Sequence, residues 1–270
     1  MKIGFIGCGN MGSALAIAAA KAAAQANSSE ICLSNRTPAK AEALARQIGA
    51  AVSTNEEIAA TCDIIFLGVK PHLLRDLLTS LSPILADRQD NFVLISMAAG
   101  VTVSAIEEAA GGNYPIIRIM PNTPTSVGEG MIQYCKNAPV TAEDEDNFRT
   151  ILAFAGKLDP LDESLIDAAS AVSGCGPAFL CLLAEALADG GVKCGLPRGK
   201  ALEYAAQTIL GTGKLLLESG KHPGELKDAV CSPGGSTIRG VAALEDHAFR
   251  AAVIAAVETA YRRNRELGKD

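Results

Sequence analysis

Three glycines near the start of the chain have the spacing of a phosphate-binding turn. Gly7, Gly9 and Gly12 follow a short apolar run and precede an alanine-rich stretch, which predicts a strand, a tight turn and a helix. The first glycine permits the turn, the second lets the backbone approach a pyrophosphate, and the third lets helix and strand pack closely. Free N–H groups at the helix start, at Asn10 and Met11, face the phosphates. The pattern predicts a dinucleotide site; the alternative is a glycine-rich turn without a ligand.

The end of the second predicted strand bears on which dinucleotide is bound. NAD-dependent enzymes carry an acidic residue there for the ribose 2′-hydroxyl, but this chain has Ser34, Asn35 and Arg36 and no acid between residues 31 and 41. A guanidinium beside hydroxyl and amide groups binds a 2′-phosphate, whereas a carboxylate repels it. We therefore predict NADP(H), with NAD(H) as a less favoured cofactor. Lys40 either adds charge to this site or is an ordinary surface lysine.

Three more loops rich in small residues follow predicted strands. They span residues 68–72, 97–100 and 120–124, and ligands of open α/β sheets bind at the carboxyl ends of strands. Small side chains there would let a nicotinamide ring approach the sheet edge. Each loop alone could be an ordinary turn, but their common position favours a shared binding edge.

A second group of residues with chemical potential lies near the carboxyl end. Residues 231–237 read Cys-Ser-Pro-Gly-Gly-Ser-Thr, and a helix is predicted to begin near Ser236. A glycine pair with flanking hydroxyl groups at a helix start offers N–H groups to a small anion, such as one carboxylate. The alternative is that Ser236 or Thr237 only caps the helix.

The elements that must position these groups differ between two halves of the chain. Up to about residue 158, short apolar runs alternate with helical stretches, and the runs are apolar on successive residues, as in a parallel sheet covered on both faces. Residues 1–158 are therefore predicted to form a Rossmann-like, doubly wound α/β domain with a mostly parallel sheet. Residues 159–270 are predicted to be all-α. The predicted strands are Ile3–Ile6, Ile31–Leu33, Ile64–Leu67, Phe92–Ile95, Ile116–Ile119 and Met131–Cys135.

The first long helix of the second half, predicted over 177–192, is unusually apolar. Its few charged residues, from Glu185 to Lys193, recur at every fourth position in one narrow stripe. Such a helix must be buried on most sides, and about a hundred residues of helix make only a small core. We therefore predict a homodimer in which this half packs against a second copy. The alternative is a helix buried wholly within its own chain.

Composition excludes several other functions. The 270 residues carry a net charge of −6 and only 4% aromatic residues, which argues against nucleic-acid binding. The longest uncharged stretch, 168–184, is broken by glycines and a proline, so we expect no membrane span. Eight cysteines without a C-x-x-C pair indicate free thiols rather than disulfides or a metal site. Glycines also interrupt the apolar start, which disfavours a signal peptide and favours a cytoplasmic location.

With these motifs together, the chain resembles the pyrroline-5-carboxylate reductase family. The resemblance extends from residue 2 to about residue 267, and its most specific part is the unbroken run 223–244. Its other segments are Val69-Lys70-Pro71, Ala98-Ala99-Gly100-Val101-Thr102, Met120-Pro121-Asn122-Thr123-Pro124 and Ser173-Gly174-x-Gly176-Pro177-Ala178.

The resemblance implies reduction of the cyclic imine 1-pyrroline-5-carboxylate to L-proline by NAD(P)H. It also implies a helical dimerisation domain, often with dimers arranged in a ring. Carried over by motif, Thr237 hydrogen-bonds the imine nitrogen, while Ser232 and Ser236 with the backbone of Gly234 and Gly235 hold the carboxylate. The cofactor contacts implied in the same way are Asn55, Val69, Lys70, Pro71, Ala98, Ala99 and Asn122.

Two positions depart from the animal members of the family. Gly220 and Ala229 stand where those members carry an acidic residue and an asparagine, so the contacts of those two side chains are not carried over.

Two alternative functions remain open. One is another imine or hydroxyacid reductase of the same layout, for which Lys193 and Lys200 are the nearest candidates for a catalytic lysine. The other is a non-catalytic NADP-binding protein.

Overall fold

The chain folds into two compact units. A computed structural model describes residues 1–26 and 29–267. One unit comprises Met1–Gly174 and the chain from Tyr261 onward, and the other comprises Cys175–Ala260. The predicted boundary between residues 158 and 159 falls inside the last strand of the sheet, and the first unit continues to Gly174.

The first unit is built on an eight-stranded sheet in the order β3-β2-β1-β4-β5-β6-β7-β8. All neighbouring strands are parallel except β6 and β7. The strand order reverses at β1 and β4, the point at which open α/β sheets bind ligands. The strands are β1 Lys2–Ile6, β2 Glu30–Ser34, β3 Ala51–Val52, β4 Ile64–Leu67, β5 Val93–Ser96, β6 Ile116–Met120, β7 Gly130–Lys136 and β8 Gly156–Pro160.

Helices cover both faces of this sheet, as the apolar strands predicted. On one face, Phe5 and Phe66 stack with ring centroids 4.4 Å apart and pack with α1, α2 and α6. On the other, Ile65 and Leu94 pack with α3, α4 and α5. The helices of this unit are α1 Asn10–Ala26, α2 Pro38–Ile48, α3 Asn55–Thr61, α4 Pro71–Asp87, α5 Val103–Ala110, α6 Ala142–Ile151 and α7 Ile166–Ser173.

The second unit is helical and has a very small core of its own. Its buried residues are Ala188, Ala201 and Ala205, whereas Leu182 and Leu217 are 68% and 81% exposed. This exposure excludes the alternative that α8 is buried wholly within its own chain. The remaining helices are α8 Gly176–Lys193, α9 Arg198–Ser219, α10 Pro223–Ala229, α11 Ser236–Asp246 and α12 Phe249–Leu267.

One helical stretch has the length and composition of a membrane span, which we did not expect from the sequence. By length and composition alone, Glu163–Lys193 is apolar enough to span a bilayer. Only 11% of its most apolar 18-residue segment is buried in the single chain. We expected none because glycine and proline interrupt the apolar run. In the structure Gly174 has helical φ and ψ of −74° and −44°, and Pro177 lies in the first turn of α8, where proline is well tolerated. The same exposed apolar surface is what packing against a second copy requires.

Candidate functional site

The backbone geometry of the three glycines of the turn is compatible with the roles predicted from their spacing. Gly7 has a φ of +107°, a conformation that side chains disfavour. A Cβ at Gly12 would lie 2.1 Å from the Gly7 carbonyl oxygen, so only glycine lets α1 approach β1 this closely. At Gly9 a Cβ would meet no described atom within 4 Å. The turn is therefore closed by Gly7 and Gly12 and open at Gly9, where a ligand's phosphates can approach.

The amino end of α1 presents N–H groups at this opening. The first helical hydrogen bond is donated by the Ser13 N–H to the Gly9 carbonyl at 2.8 Å. The N–H groups of Asn10, Met11 and Gly12 therefore have no carbonyl partner within the helix. A pyrophosphate placed there receives hydrogen bonds and the favourable end of the helix dipole.

The end of β2 lies against the glycine turn. The Gly7 N–H donates to the Ser34 carbonyl at 2.8 Å, and the Ser34 hydroxyl donates to Asn55 Oδ1 at 2.6 Å. Burial raises the pKa of the Cys8 thiol to about 11, so the thiol stays protonated and donates to the Ser34 carbonyl at 3.6 Å. Ser34 and Asn55, both predicted to contact the cofactor, are thus brought together beside the turn.

Arg36 follows as an exposed side chain, and the guanidinium has no hydrogen bond or ion pair to any residue that the structure describes. Lys40 is likewise exposed. An unpaired guanidinium at the end of β2 can bind a phosphate bidentately without first breaking an internal ion pair. This geometry fits the predicted site for a 2′-phosphate.

The loops after β4 and β5 bring the next predicted residues to the same sheet edge. Gly68 approaches the turn so closely that its Cβ would lie 2.6 Å from the Gly7 carbonyl oxygen. Val69 is half-buried and Lys70 exposed, and Pro71 begins α4. After β5, Ala98 is buried and Ala99 is exposed. Sequence reasoning missed Gly68 as a required glycine, although the loop that contains it was predicted to face a ligand.

Asn122, a predicted cofactor contact, uses both ends of its side-chain amide within the first unit. Its side chain is buried, its Nδ2 donates to the Ser173 carbonyl at 2.9 Å, and its Oδ1 accepts the Met131 N–H at 2.9 Å. The Ser173 hydroxyl in turn donates to Gln133 Oε1 at 3.0 Å. Asn122 thus fastens the start of β7 to the end of α7. Sequence reasoning missed Gln133, and no local pattern marks it.

In the second unit, the glycine pair opens α11 as predicted. Gly234 has a φ of +69°, and a Cβ at Gly235 would lie 2.3 Å from the Ser232 hydroxyl oxygen. Gly235 occupies the position before the helix, and no side chain caps it. The hydroxyls of Ser236 and Thr237 therefore do not cap the helix, and both side chains are exposed. This helix start leaves N–H and hydroxyl groups available to a small anion.

A cleft elsewhere in the first unit contains none of the predicted site residues. It has a volume of about 610 Å³ and is lined in part by Tyr134, Lys136, Glu145 and Glu163. Hydrogen bonds from Lys136 and Tyr134 lower the pKa of Glu145 to about 2, while burial and the Glu145 carboxylate raise the pKa of Tyr134 to about 12. Lys136 and Glu145 form an ion pair with each other, which links β7 to α6, and Glu163 pairs with Arg118.

Comparisons with known proteins agree with this geometry. Residues 163–267 match the family model described as pyrroline-5-carboxylate reductase dimerisation, and residues 2–100 match one described as NADP oxidoreductase coenzyme F420-dependent. The Escherichia coli (strain K12) pyrroline-5-carboxylate reductase is 41% identical over 269 residues, covering 99% of this chain and 98% of the relative.

Two solved structures are also similar to this chain over nearly its whole length. The Plasmodium falciparum pyrroline carboxylate reductase with NADP bound is 35% identical, with a TM-score of 0.85, and the match covers 99% of this chain and 98% of that one. The Coxiella burnetii pyrroline-5-carboxylate reductase is 32% identical, with a TM-score of 0.87 and the same coverage.

Proposed function

Because the chain belongs to the pyrroline-5-carboxylate reductase family, we propose that it reduces 1-pyrroline-5-carboxylate to L-proline, the last step of proline biosynthesis, with NADP(H) as its cofactor. The observation that carries this proposal is the 41% identity over 269 residues, which spans both the glycine turn and the turn before α11. An enzyme of this kind needs both sites, one for a dinucleotide and one for a small carboxylate.

The residues at the sheet edge fit a dinucleotide phosphate. Gly9 leaves open space and the start of α1 offers N–H groups, while Arg36 is exposed and unpaired within the described residues. Arg36 makes NADPH the preferred cofactor over NADH, because only NADPH carries a 2′-phosphate for the guanidinium to bind. Val69, Lys70, Pro71, Ala98 and Ala99 lie in loops at the same edge and surround the rest of the cofactor.

The residues before and in the first turn of α11 hold the substrate. The backbone N–H groups that open α11 after Gly235, with the hydroxyls of Ser232 and Ser236, bind the carboxylate. The turn of Gly234 and Gly235 positions these groups, and the Gly235 N–H itself donates to the Ser232 carbonyl at 3.0 Å. Thr237 hydrogen-bonds the ring nitrogen and orients the ring. A helix start suits this task because its N–H groups and dipole favour a negative charge.

When bound, NADPH supplies a hydride to the imine carbon. The chain contributes orientation, which is worth about 7–11 kcal/mol when reacting groups are well aligned. We assign neither His222 nor His247 as proton donor: His222 Nδ1 accepts the Gly224 N–H at 3.1 Å, and His247 Nδ1 lies 2.8 Å from the Ala243 carbonyl. The imine binds already protonated, or receives its proton through water, and Thr237 accepts a hydrogen bond from the nitrogen.

The exposed apolar helices and the match to a dimerisation family support a homodimer. Assembly of dimers into a ring is a further part of the proposal, tested by the mass of the native particle. A cytoplasmic location is proposed because all eight cysteines are free thiols, which persist in a reducing compartment.

The test is oxidation of NADPH, followed by absorbance, with 1-pyrroline-5-carboxylate as substrate and proline identified as the product. Turnover far above the rate without substrate is expected. Absence of turnover while NADPH still binds would overturn the substrate assignment. Small 2-hydroxy acids with NADP⁺ serve as the comparison, and we expect no reaction, because Lys200 is exposed and paired with Glu203 at 2.8 Å rather than placed as a catalytic lysine.

A further inference from the structure

Asn35 uses both ends of its side-chain amide within the protein. Its Oδ1 accepts the Cys8 N–H at 2.9 Å, and its Nδ2 donates to the Thr37 carbonyl at 3.0 Å. Cys8 lies inside the glycine turn, and Thr37 follows Arg36. The side chain therefore joins the turn that faces the pyrophosphate to the loop that carries the guanidinium.

Neighbouring bonds show that this connection is part of a small hydrogen-bonded unit. The Ser34 carbonyl accepts the Gly7 N–H, and the Ser34 hydroxyl holds Asn55. The other described hydrogen bonds between the turn and the end of β2 are made by Ser34, the last residue of the strand. The bond from the Cys8 N–H to the Asn35 side chain adds a contact one residue beyond the strand. The Cys8 N–H already donates to Asn35 and is not available to a phosphate. The N–H groups of Asn10 and Met11 have no such partner among the described residues and remain available.

We propose that Asn35 is a positioning residue for the cofactor rather than a direct contact of the 2′-phosphate: it couples the glycine turn to the Arg36 loop. This inference rests on the proposed use of NADP(H) and revises the role that the sequence suggested for Asn35. Because the glycine turn faces the pyrophosphate, which NADPH and NADH share, loss of the coupling weakens both cofactors. A direct contact with the 2′-phosphate affects NADPH alone.

Two substitutions separate these roles. Asn35→Ala leaves the partly buried Cys8 N–H without its acceptor, and we expect the dissociation constants of both NADPH and NADH to rise about tenfold. Arg36→Ala is the matched comparison, because it removes the proposed contact with the 2′-phosphate and leaves the bonds of Asn35 to Cys8 and Thr37 in place. We expect Arg36→Ala to raise the dissociation constant of NADPH at least tenfold while that of NADH stays within about twofold, because NADH carries no 2′-phosphate.

The measurement is the dissociation constant of each cofactor by titration calorimetry on the full-length protein, without substrate. Weakened NADPH binding with unchanged NADH binding in Asn35→Ala, the pattern expected of Arg36→Ala, overturns the proposal. Thermal unfolding monitors folding of each variant. Should Asn35→Ala not fold, amide exchange of wild type decides: slow exchange at the Cys8 N–H without cofactor is expected, and fast exchange overturns the coupling.

Because no substrate is present, these titrations do not depend on the reaction. Failure of the Asn35 prediction leaves the assignment of 1-pyrroline-5-carboxylate untouched. Absence of turnover with this imine leaves the cofactor titrations valid.

Discussion

At the scale of single residues, the exposed hydroxyl of Thr237 is the group that we propose acts most directly in the reaction. We expect Thr237→Ala to lower kcat about 10- to 100-fold, which corresponds to about 1.4–2.7 kcal/mol of lost transition-state stabilisation. Steady-state kinetics measure the change, with Thr237→Ser as the matched control because it keeps the hydroxyl. The dissociation constant for NADPH should not change. Unaltered kcat in Thr237→Ala would remove this residue from the mechanism.

Arg36 provides the second prediction at this scale. Arg36→Ala removes the guanidinium that faces no partner among the described residues, so we expect the KM for NADPH to rise at least tenfold, the loss of about one charge-assisted contact. The KM for NADH should stay within about twofold. Arg46→Ala is the matched control, because Arg46 is an exposed arginine in the last turn of the helix that follows, α2. Equal changes for both cofactors would contradict the role of Arg36.

Single residues were predictable where the local backbone determines their role. Gly7 and Gly12 are required by a turn and a close approach within ten residues of sequence, so their spacing was sufficient. The bonds of Asn35 and Asn122 join residues 27 and 51 positions away. No local pattern specifies such partners, and the sequence alone favoured cofactor contacts for both asparagines.

At the scale of elements, the strands buried on both faces were predicted to within about two residues because their apolar runs are continuous. The missed strands lack such a run: β3 has two residues, and β8 reads Gly-Lys-Leu-Asp-Pro, in which no residue is fully buried. Helix α4 continues through Pro83 to Asp87, although proline disfavours a helix interior. Burial of Leu85 in the core offsets the hydrogen bond that the proline removes.

The link between β7 and α6 gives a prediction about stability and pH. Lys136 donates to Glu145 at 2.5 Å, Tyr134 also donates to it, and the pKa of Glu145 falls from 4.5 to about 2. A lowered folded-state pKa stabilises the fold above the unfolded pKa, and the contribution is lost as the pH falls from about 4.5 towards 2. We expect Glu145→Gln to lower the free energy of unfolding at pH 7 by on the order of 2 kcal/mol.

Urea unfolding at fixed protein concentration, from pH 7 down to pH 3, measures this effect. The difference between wild type and Glu145→Gln should narrow below about pH 4.5. Glu143→Gln is the matched control, because Glu143 is an exposed glutamate in the first turn of the same helix. If the free energies of unfolding of wild type and Glu145→Gln differ by the same amount at every pH in this range, the stabilisation lost in the variant does not come from the ionised carboxylate.

At the scale of the whole molecule, the composition of α8 is sufficient to indicate an interface. A helix with one narrow charged stripe has too much apolar surface for a small helical unit to cover. The structure leaves that surface exposed, with Leu180 and Leu187 each about half accessible. The position of the boundary could not be obtained in this way, because β8 and α7 lack the patterns that mark a strand or helix.

The exposed apolar surface of α8 gives a prediction about the oligomeric state. We expect wild type to have about twice the 27.8 kDa mass of one chain, or a higher multiple of it, in light scattering at micromolar concentration. Leu182→Glu places a charge on an apolar side chain that is 68% exposed in the single chain and that we propose is covered in the dimer, so it should shift the protein towards monomer. Val52→Glu, an equal change at a half-exposed residue of β3, serves as the control. A wild-type protein of 27.8 kDa would contradict the dimer, because the apolar faces of α8 and α9 would then remain in water.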